Sequence, residues 1–260
     1  MRLRVGAGSD MGRVRNLNED AYALRAEEGL FVVCDGMGGA PAGEVASQMA
    51  IDAILRQVNG IEDRRVEAAA RDTYLPHTTR LAEAVRRSNA FIYEQAQKQP
   101  DRVGMGTTVV GTWIRQHIAG VAHVGDSRAY LWHDDRLEAL TRDHSLSGPH
   151  ANVLVRVLGR EPDVDVELKE VPVQPGDYVL LCSDGLTRMV PEPLMARAIH
   201  RFRDPQRICD YLIAAANSNG GADNITVVVI EVAGSWWPRL LSRWTRSVRR
   251  GHDGEADAAV

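Results

Sequence analysis

The sequence predicts an α+β protein whose antiparallel sheets pack between helices. Several segments of strand length are apolar on both faces, so each face has to be covered by another sheet or by helices. Helical segments flank a strand-rich middle, and strands and helices are grouped rather than strictly alternating. With 260 residues, 44% of them hydrophobic and 25% charged, the chain is long and apolar enough to form its own core.

The predicted strands are apolar or β-branched runs bounded by Gly, Asp or Asn. In chain order they cover residues 29–34, 107–114, 117–124, 129–132, 178–182 and 225–232. Apolar residues recur at helical spacing over residues 43–58, and Leu81, Val85 and Ile92 mark a second helix. A third helix is predicted over residues 206–216.

Charge and cysteine content narrow the class of protein. The formal net charge of −4 provides no basic excess for binding a polyanion, so we expect no nucleic-acid partner. The three cysteines are widely spaced, and we predict that they are reduced and structural. The N-terminus lacks the apolar core of a signal peptide, and no apolar run is long enough for a spanning helix. We therefore expect a cytoplasmic protein.

The composition changes near the C-terminus. We predict one domain over residues 1–233 and a basic, Trp/Arg-rich tail over residues 234–260. Within residues 235–250, Trp237, Leu240 and Trp244 fall on one helical face and most arginines on the other, which is typical of a helix at a membrane surface. A solvated tail, or one that covers the domain itself, is the favoured alternative.

Acidic residues follow or precede the predicted strands at four places. They occur in the pairs Asp35-Gly36, Gly125-Asp126, Asp184-Gly185 and Asp223-Asn224. Any one such pair is a common turn. Four of them at strand ends, with Gly allowing close approach of the backbone, favour an oxygen-rich site for Mg²⁺ or Mn²⁺.

Six short motifs contain these acidic residues and their neighbours. In chain order they are Gly12-Arg13-Val14-Arg15-Asn16-Leu17-Asn18-Glu19-Asp20, Val33-Cys34-Asp35-Gly36-Met37-Gly38-Gly39, Gly104-Met105-Gly106-Thr107-Thr108, Val124-Gly125-Asp126-Ser127-Arg128, Cys182-Ser183-Asp184-Gly185-Leu186 and Asp223-Asn224-Ile225-Thr226. The set resembles the metal-dependent protein phosphatases of the PP2C (PPM) family in their bacterial form, over residues 8–232. The resemblance implies a central β-sandwich of two antiparallel sheets, flanked by helices on both faces.

The resemblance also implies a ligand set for two or three metal ions. Asp35 would bridge two ions, and the carbonyl of Gly36 would face one of them. Asp184 and Asp223 would complete the protein ligands of the first ion. Asp126, together with Asp184, would hold a third and weaker ion. The expected cofactors are Mn²⁺ or Mg²⁺, two in the catalytic centre and a third at the weaker site.

Further roles follow from the same resemblance. Glu19 and Asp20 would lie behind the ligands and orient metal-bound waters. Arg15 would bind the substrate phosphate with its planar guanidinium, and the expected catalytic residues are Arg15, Asp35 and Asp184. Two ions would lower the pKa of the water between them, so that hydroxide is available for in-line attack on phosphorus.

The chain departs from the family at two places. Met37 stands where eukaryotic members carry a histidine that is proposed as the general acid for the leaving group. The segment called the flap is short, with only residues 147–151 where bacterial members usually insert a longer charged segment. Substrate selection and the third ion are the properties that the short flap puts in question.

The leading hypothesis is a cytoplasmic, monomeric phosphatase that hydrolyses phosphoserine or phosphothreonine on proteins and opposes a Ser/Thr kinase. One alternative is a catalytically silent relative that serves as a signalling or binding module, although retention of all four predicted metal aspartates argues against it. A phosphatase acting on small phosphate esters is the other alternative. Peripheral membrane contact through residues 235–250 belongs to the tail hypothesis.

Overall fold

The computed structural model describes residues 1–37, 42–60, 73–146 and 153–234. The strands are β1 (Arg2–Asp10), β2 (Asp20–Arg25), β3 (Leu30–Asp35), β4 (Val109–Arg115), β5 (Ile118–Val124), β6 (Arg128–His133), β7 (Arg136–Ala139), β8 (Glu167–Pro172), β9 (Tyr178–Cys182) and β10 (Ile225–Ala233). The helices are α1 (Gly43–Gly60), α2 (Pro76–Lys98), α3 (Asp184–Thr187), α4 (Glu192–Phe202) and α5 (Pro205–Ser218), with a 3₁₀ turn at Pro100–Arg102.

The strands form two antiparallel sheets that pack face to face. Sheet I has the order β1-β10-β9-β6-β7, and sheet II has the order β2-β3-β4-β5-β8. Helices α1 and α2 cover the outer face of sheet II, and α4 and α5 cover the outer face of sheet I. The predicted α+β sandwich with helices on both faces is therefore confirmed.

The central strands are apolar throughout because both of their faces are buried. Along β3, Phe31 and Val33 point into the layer between the sheets, whereas Leu30, Val32 and Cys34 point toward the helices. This alternation is the period of two that a strand imposes on its side chains. Strand β9 shows the same division, so the molecule has three apolar layers: one between the sheets and one under each helix pair.

Helices α2, α4 and α5 begin at proline-containing turns. Pro76 and Pro205 occupy the first turn of α2 and α5, where a missing N–H costs no helical hydrogen bond. The side chain of Asp204 also caps α5 by accepting the Arg207 N–H at 3.0 Å. Among the described helices, none combines the length and the apolar character that crossing a bilayer requires.

The structure contains every strand and helix predicted from the sequence, with ends that differ by a few residues. It adds the strands β1, β2, β7 and β8 and the helices α3 and α4, which the sequence analysis did not identify. Cys34, Cys182 and Cys209 are buried and free, as predicted. The flap at residues 147–151 and the tail beyond residue 234 lie outside the described residues, so the predicted domain boundary stays a prediction.

Antiparallel pairing brings the acidic residues to one edge of the sandwich. The end of one strand lies beside the start of its antiparallel neighbour. Strand β3 therefore ends at Asp35 where β2 begins at Asp20. Strand β9 leads into Asp184 beside the start of β10, which Asp223 precedes. Asp126 follows β5 at the same edge.

Candidate metal centre and active site

Three of the predicted metal ligands meet in one cluster. Carboxylate oxygens of Asp35, Asp126 and Asp184 all lie within 4.8 Å of one another. Asp223 and Gly36 line the same pocket as these three residues. The structure thus brings together the five residues predicted to ligate metal, although they are spread over nearly 190 residues of sequence.

The surroundings of Asp35 disfavour the charged form of its carboxyl group. Burial raises its pKa well above the usual value, and repulsion from Asp20, Asp184, Asp126 and Asp223 adds to the effect. A buried carboxylate that is surrounded by other carboxylates is stable in its charged form only when a cation lies among them.

The backbone around Asp35 is fixed by sheet II. The Asp35 N–H donates to the Thr108 hydroxyl at 3.1 Å, and the Gly36 N–H donates to the Glu19 carbonyl at 3.0 Å. A Cβ atom added to Gly36 would come within 2.1 Å of the Gly43 carbonyl oxygen. Only glycine therefore fits between the end of β3 and the start of α1, and the chain beside Asp35 has no room to shift.

Asp126 stands on a tight turn that a histidine braces. Gly125 has a φ of 113°, which favours glycine. His144 holds this turn twice, because its backbone N–H donates to the Gly125 carbonyl at 2.8 Å and its Nδ1 accepts the Gly125 N–H at 3.2 Å. The remaining ring nitrogen, Nε2, lies 3.0 Å from the Glu167 carboxylate. Burial, followed by repulsion from Asp184, raises the pKa of Asp126 to about 7.

Asp20 lies close to the cluster, and its carboxyl group is almost fully buried. The Ser183 hydroxyl donates to its Oδ2 at 2.7 Å. Its Oδ1 is buried and has no hydrogen-bond partner among the described residues. Burial raises the pKa of Asp20 to about 7. An unpartnered buried oxygen beside the metal ligands is suited to accept a hydrogen bond from a metal-bound water.

Glu19 also lies behind the pocket wall. Its backbone N–H donates to the side-chain oxygen of Asn224 at 2.8 Å. Its carboxyl pKa is raised, first by burial and then by repulsion from Glu44 at the start of α1. Neither Glu19 nor Asp20 is among the described residues that line the pocket.

Arg15 lies at the pocket on the loop between β1 and β2. Its Nη2 donates to Asp223 Oδ2 at 2.8 Å, and about two fifths of its side chain is exposed. Asn224 fastens this loop, because its side-chain amide donates to the carbonyls of Met11 and Leu17 at 2.9 and 2.8 Å. The sequence analysis quoted Asn224 in a motif but did not identify this role.

The pocket has a volume of about 350 Å³. It is lined by Arg15, Asp35, Gly36, Met37, Thr108, Asp126, Val153, Leu154, Arg160, Asp184, Arg188 and Asp223. Arg160 and Arg188 are pocket residues that the sequence analysis missed. Arg188 had a sequence signal, since it follows Asp184 by four residues, which is one turn of a helix.

The donor set fits hard divalent cations. Carboxylates and a backbone carbonyl are the oxygen ligands that Mg²⁺ and Mn²⁺ prefer. Mutual repulsion among the aspartates and the unpartnered oxygen of Asp20 are the features that bound cations and their waters would satisfy. A pocket of this kind with arginines in its lining is typical of metal-dependent enzymes that hydrolyse phosphate esters.

Comparisons with known proteins agree with this class. The family model described as protein phosphatase 2C matches residues 7–223. The serine/threonine phosphatase Stp of Listeria innocua is 38% identical over 242 residues, which cover 86% of this chain and 93% of that protein. The chain therefore belongs to the protein phosphatase 2C family.

Solved structures support the same assignment. The Mycobacterium tuberculosis serine/threonine phosphatase PstP/Ppp matches with a TM-score of 0.77 and 33% identity, over 90% of this chain and 100% of that chain. The catalytic domain of the phosphatase PstP, solved with two manganese ions, gives a TM-score of 0.76 and 34% identity over 89% and 99% of the two chains. The predicted family and the predicted metal-dependent phosphatase class are confirmed, with Mn²⁺ or Mg²⁺ as the cofactor.

Proposed function

We propose that this protein hydrolyses phosphoserine and phosphothreonine on other proteins, and that the reaction takes place in the pocket of Asp35, Asp126, Asp184 and Asp223. The convergence of these carboxylates with Arg15 in one pocket carries the proposal. The chemistry that divalent ions held by these residues would supply is activation of a water as the nucleophile. Stp of Listeria innocua and PstP/Ppp of Mycobacterium tuberculosis are named serine/threonine phosphatases, which supports the choice of ester.

Separate residues of the chain bind the cofactor and support its ligands. Asp35, Asp184 and Asp223, together with the Gly36 carbonyl, hold the cofactor in the pocket. Asp20, fixed by Ser183, and Glu19, fixed through Asn224, support this arrangement from behind.

Arg15 binds the phosphate of the substrate. In the structure its guanidinium is engaged at Nη2 by Asp223, which holds it at the pocket while other N–H groups stay free to donate. A planar guanidinium can bind two phosphate oxygens and offset the charge that develops in the transition state.

Met37 has no proton to donate. Its backbone N–H is bound to the Gly106 carbonyl at 3.2 Å, and its side chain lines the pocket. We therefore assign Met37 a packing role only, and the leaving-group proton does not come from this side chain.

The same proposal covers the cellular setting. A kinase that phosphorylates serine or threonine must supply the substrates, and we place enzyme and substrates in the cytoplasm. The proposal takes the protein to act as a monomer. Membrane contact through residues 235–250 concerns the tail and is separate from this chemistry.

Phosphate release from a phosphothreonine peptide and from p-nitrophenyl phosphate, each with Mn²⁺ and with EDTA, tests the proposal. We expect release from the peptide with Mn²⁺ and none with EDTA. Release from the small ester alone would identify a small-ester phosphatase, and no release from either would identify a silent binding module. The four aspartates that meet in the pocket favour an active enzyme over the silent module.

A further inference from the structure

Arg188 lies among the carboxylates of the metal centre. Its Nη2 is 2.5 Å from Asp184 Oδ2 and 3.8 Å from Asp126 Oδ2. Its Nη1 is 4.0 Å from Asp223 Oδ2. One guanidinium thus contacts three of the four aspartates in the pocket.

The backbone holds Arg188 in this position. Strand β9 ends at Cys182, and the chain then enters the short helix α3 at Asp184. The Arg188 N–H donates to the Asp184 carbonyl at 2.9 Å. Because residues four apart share one face of a helical turn, the arginine side chain is directed back over the Asp184 carboxylate.

The carboxylate ends of these contacts are largely desolvated, whereas about two fifths of the Arg188 side chain is exposed. The carboxylates of Asp126 and Asp184 are only 9% and 12% exposed. A charge pair is stronger there than at the surface, because water screens it less.

Asp126 and Asp184 are the residues expected to hold a third, weaker ion. A third ion bound to both carboxylates would have to displace the guanidinium from Asp184 or lie beside a fixed positive charge. Four aspartates already balance the charge of two divalent ions. The third ion therefore does not fit this centre while Arg188 is in place.

We propose that Arg188 is a built-in cation that takes the place of the third divalent ion, so that the centre binds two ions. The guanidinium holds Asp126 and Asp184 in the arrangement that an ion would otherwise impose. The proposal concerns ion binding, and it can be tested without any phosphatase assay.

A titration of the full chain with Mn²⁺ up to millimolar concentration, followed by calorimetry or by the EPR signal of free Mn²⁺, counts the ions. We expect two for the unchanged protein and three for Arg188→Asn, which removes the charge and leaves a small oxygen donor. Arg160→Asn is the matched control, because Arg160 lines the same pocket and is not paired with these aspartates in the described part of the chain. It should bind two ions.

A variant of Asp126, the partner of Arg188, tests the same proposal. If the Asp126 carboxylate is paired with Arg188 and binds no ion, its loss should not remove an ion. Asp126→Asn should then still bind two ions, with affinities within a few fold of those of the unchanged protein. Three ions in the unchanged protein would overturn the proposal, and this measurement depends on no variant. Loss of an ion from Asp126→Asn, or an unchanged count of two in folded Arg188→Asn, would overturn it as well.

Discussion

Arg15 and Arg188 carry the same charge into one pocket but meet different surroundings. Arg15 reaches Asp223 from an open loop that Asn224 fastens. Arg188 reaches Asp184 and Asp126 from a helical turn. If Arg15 binds the substrate phosphate as proposed, its single bond to Asp223 leaves other N–H groups for that purpose, whereas Arg188 is paired with two carboxylates of the protein itself.

Replacing Asp35 and replacing Arg15 should separate metal binding from phosphate binding. Asp35→Asn should abolish turnover, because the variant loses the carboxylate that the other ligands surround. Arg15→Ala should keep its metal and mainly raise KM, with a smaller loss in kcat. Calorimetry with Mn²⁺ and steady-state kinetics on a phosphothreonine peptide measure both effects. Tight Mn²⁺ binding by Asp35→Asn would refute the ligand assignment.

Met37→Ala should change kcat by less than roughly tenfold, because a thioether takes no part in proton transfer. The side chain lines the pocket and packs near Gly106, so a modest rise in KM is the expected effect. Comparing kcat on an aryl phosphate and on a phosphothreonine peptide gives a direct check. A loss of about 10² or more on the peptide alone would mean that Met37 assists departure of the poorer leaving group.

At the scale of elements, the position of a strand in its sheet decides whether the strand can be recognised in the sequence. Strands β3 and β9 are recognisable because burial of both faces requires an unbroken apolar run. Strand β8 was missed because it pairs only with β5 at the edge of sheet II, and its residues are all half-buried or exposed. Its sequence, ELKEVP, carries no strong strand signal.

The candidate site likewise contains some residues that the sequence predicts and some contacts that only the folded structure shows. Asp35, Asp126, Asp184 and Asp223 were predicted because each stands at a strand end next to glycine or asparagine. The contacts of Arg188 with Asp126 and Asp223 depend on how two sheets and a helical turn meet. Sequence spacing can suggest only its contact with Asp184, because that residue is one turn away.

Side chains buried between the two sheets should contribute more to the free energy of unfolding than side chains exposed on the strands. Leu181 on β9 is fully buried in this layer, so Leu181→Ala should lower the free energy of unfolding by about 2–5 kcal/mol. Leu24 on β2 is partly exposed, and Leu24→Ala should cost less than about 1 kcal/mol. Urea unfolding of both variants with Mn²⁺ present measures the difference, and similar costs at the two sites would contradict the layered core.

For the whole molecule, the metal centre couples stability to pH. Asp20 and Asp126 have pKa values of about 7 in the fold without metal ions, against a usual value of 3.8. Their carboxyl groups therefore hold protons in the folded protein that the unfolded chain has already released. Stability without metal should fall as the pH rises between about 4 and 7.

Bound cations should remove this dependence, because their positive charge close to Asp20 and Asp126 favours the ionised form of both carboxyl groups. We expect the midpoint of thermal unfolding to decrease between about pH 5 and pH 7 in EDTA, and to stay nearly level over the same range with saturating Mn²⁺, because neither the folded nor the unfolded chain then holds protons on these carboxyl groups. The Asp35→Asn variant, if it no longer binds metal, should show little response to Mn²⁺. Parallel curves in EDTA and Mn²⁺ for the unchanged protein would contradict the coupling.

The three buried cysteines have a consequence for redox chemistry. Burial raises the pKa of Cys182 and of Cys209 to about 12, and it raises that of Cys34 further still. Oxidants and alkylating agents attack the thiolate, which these side chains do not form near neutral pH. Hydrogen peroxide and iodoacetamide should therefore leave the folded enzyme active, whereas phosphatases with a cysteine nucleophile are inactivated. Dephosphorylation by this protein would then continue during oxidative stress, and rapid loss of activity with one alkylated cysteine would show that the core opens.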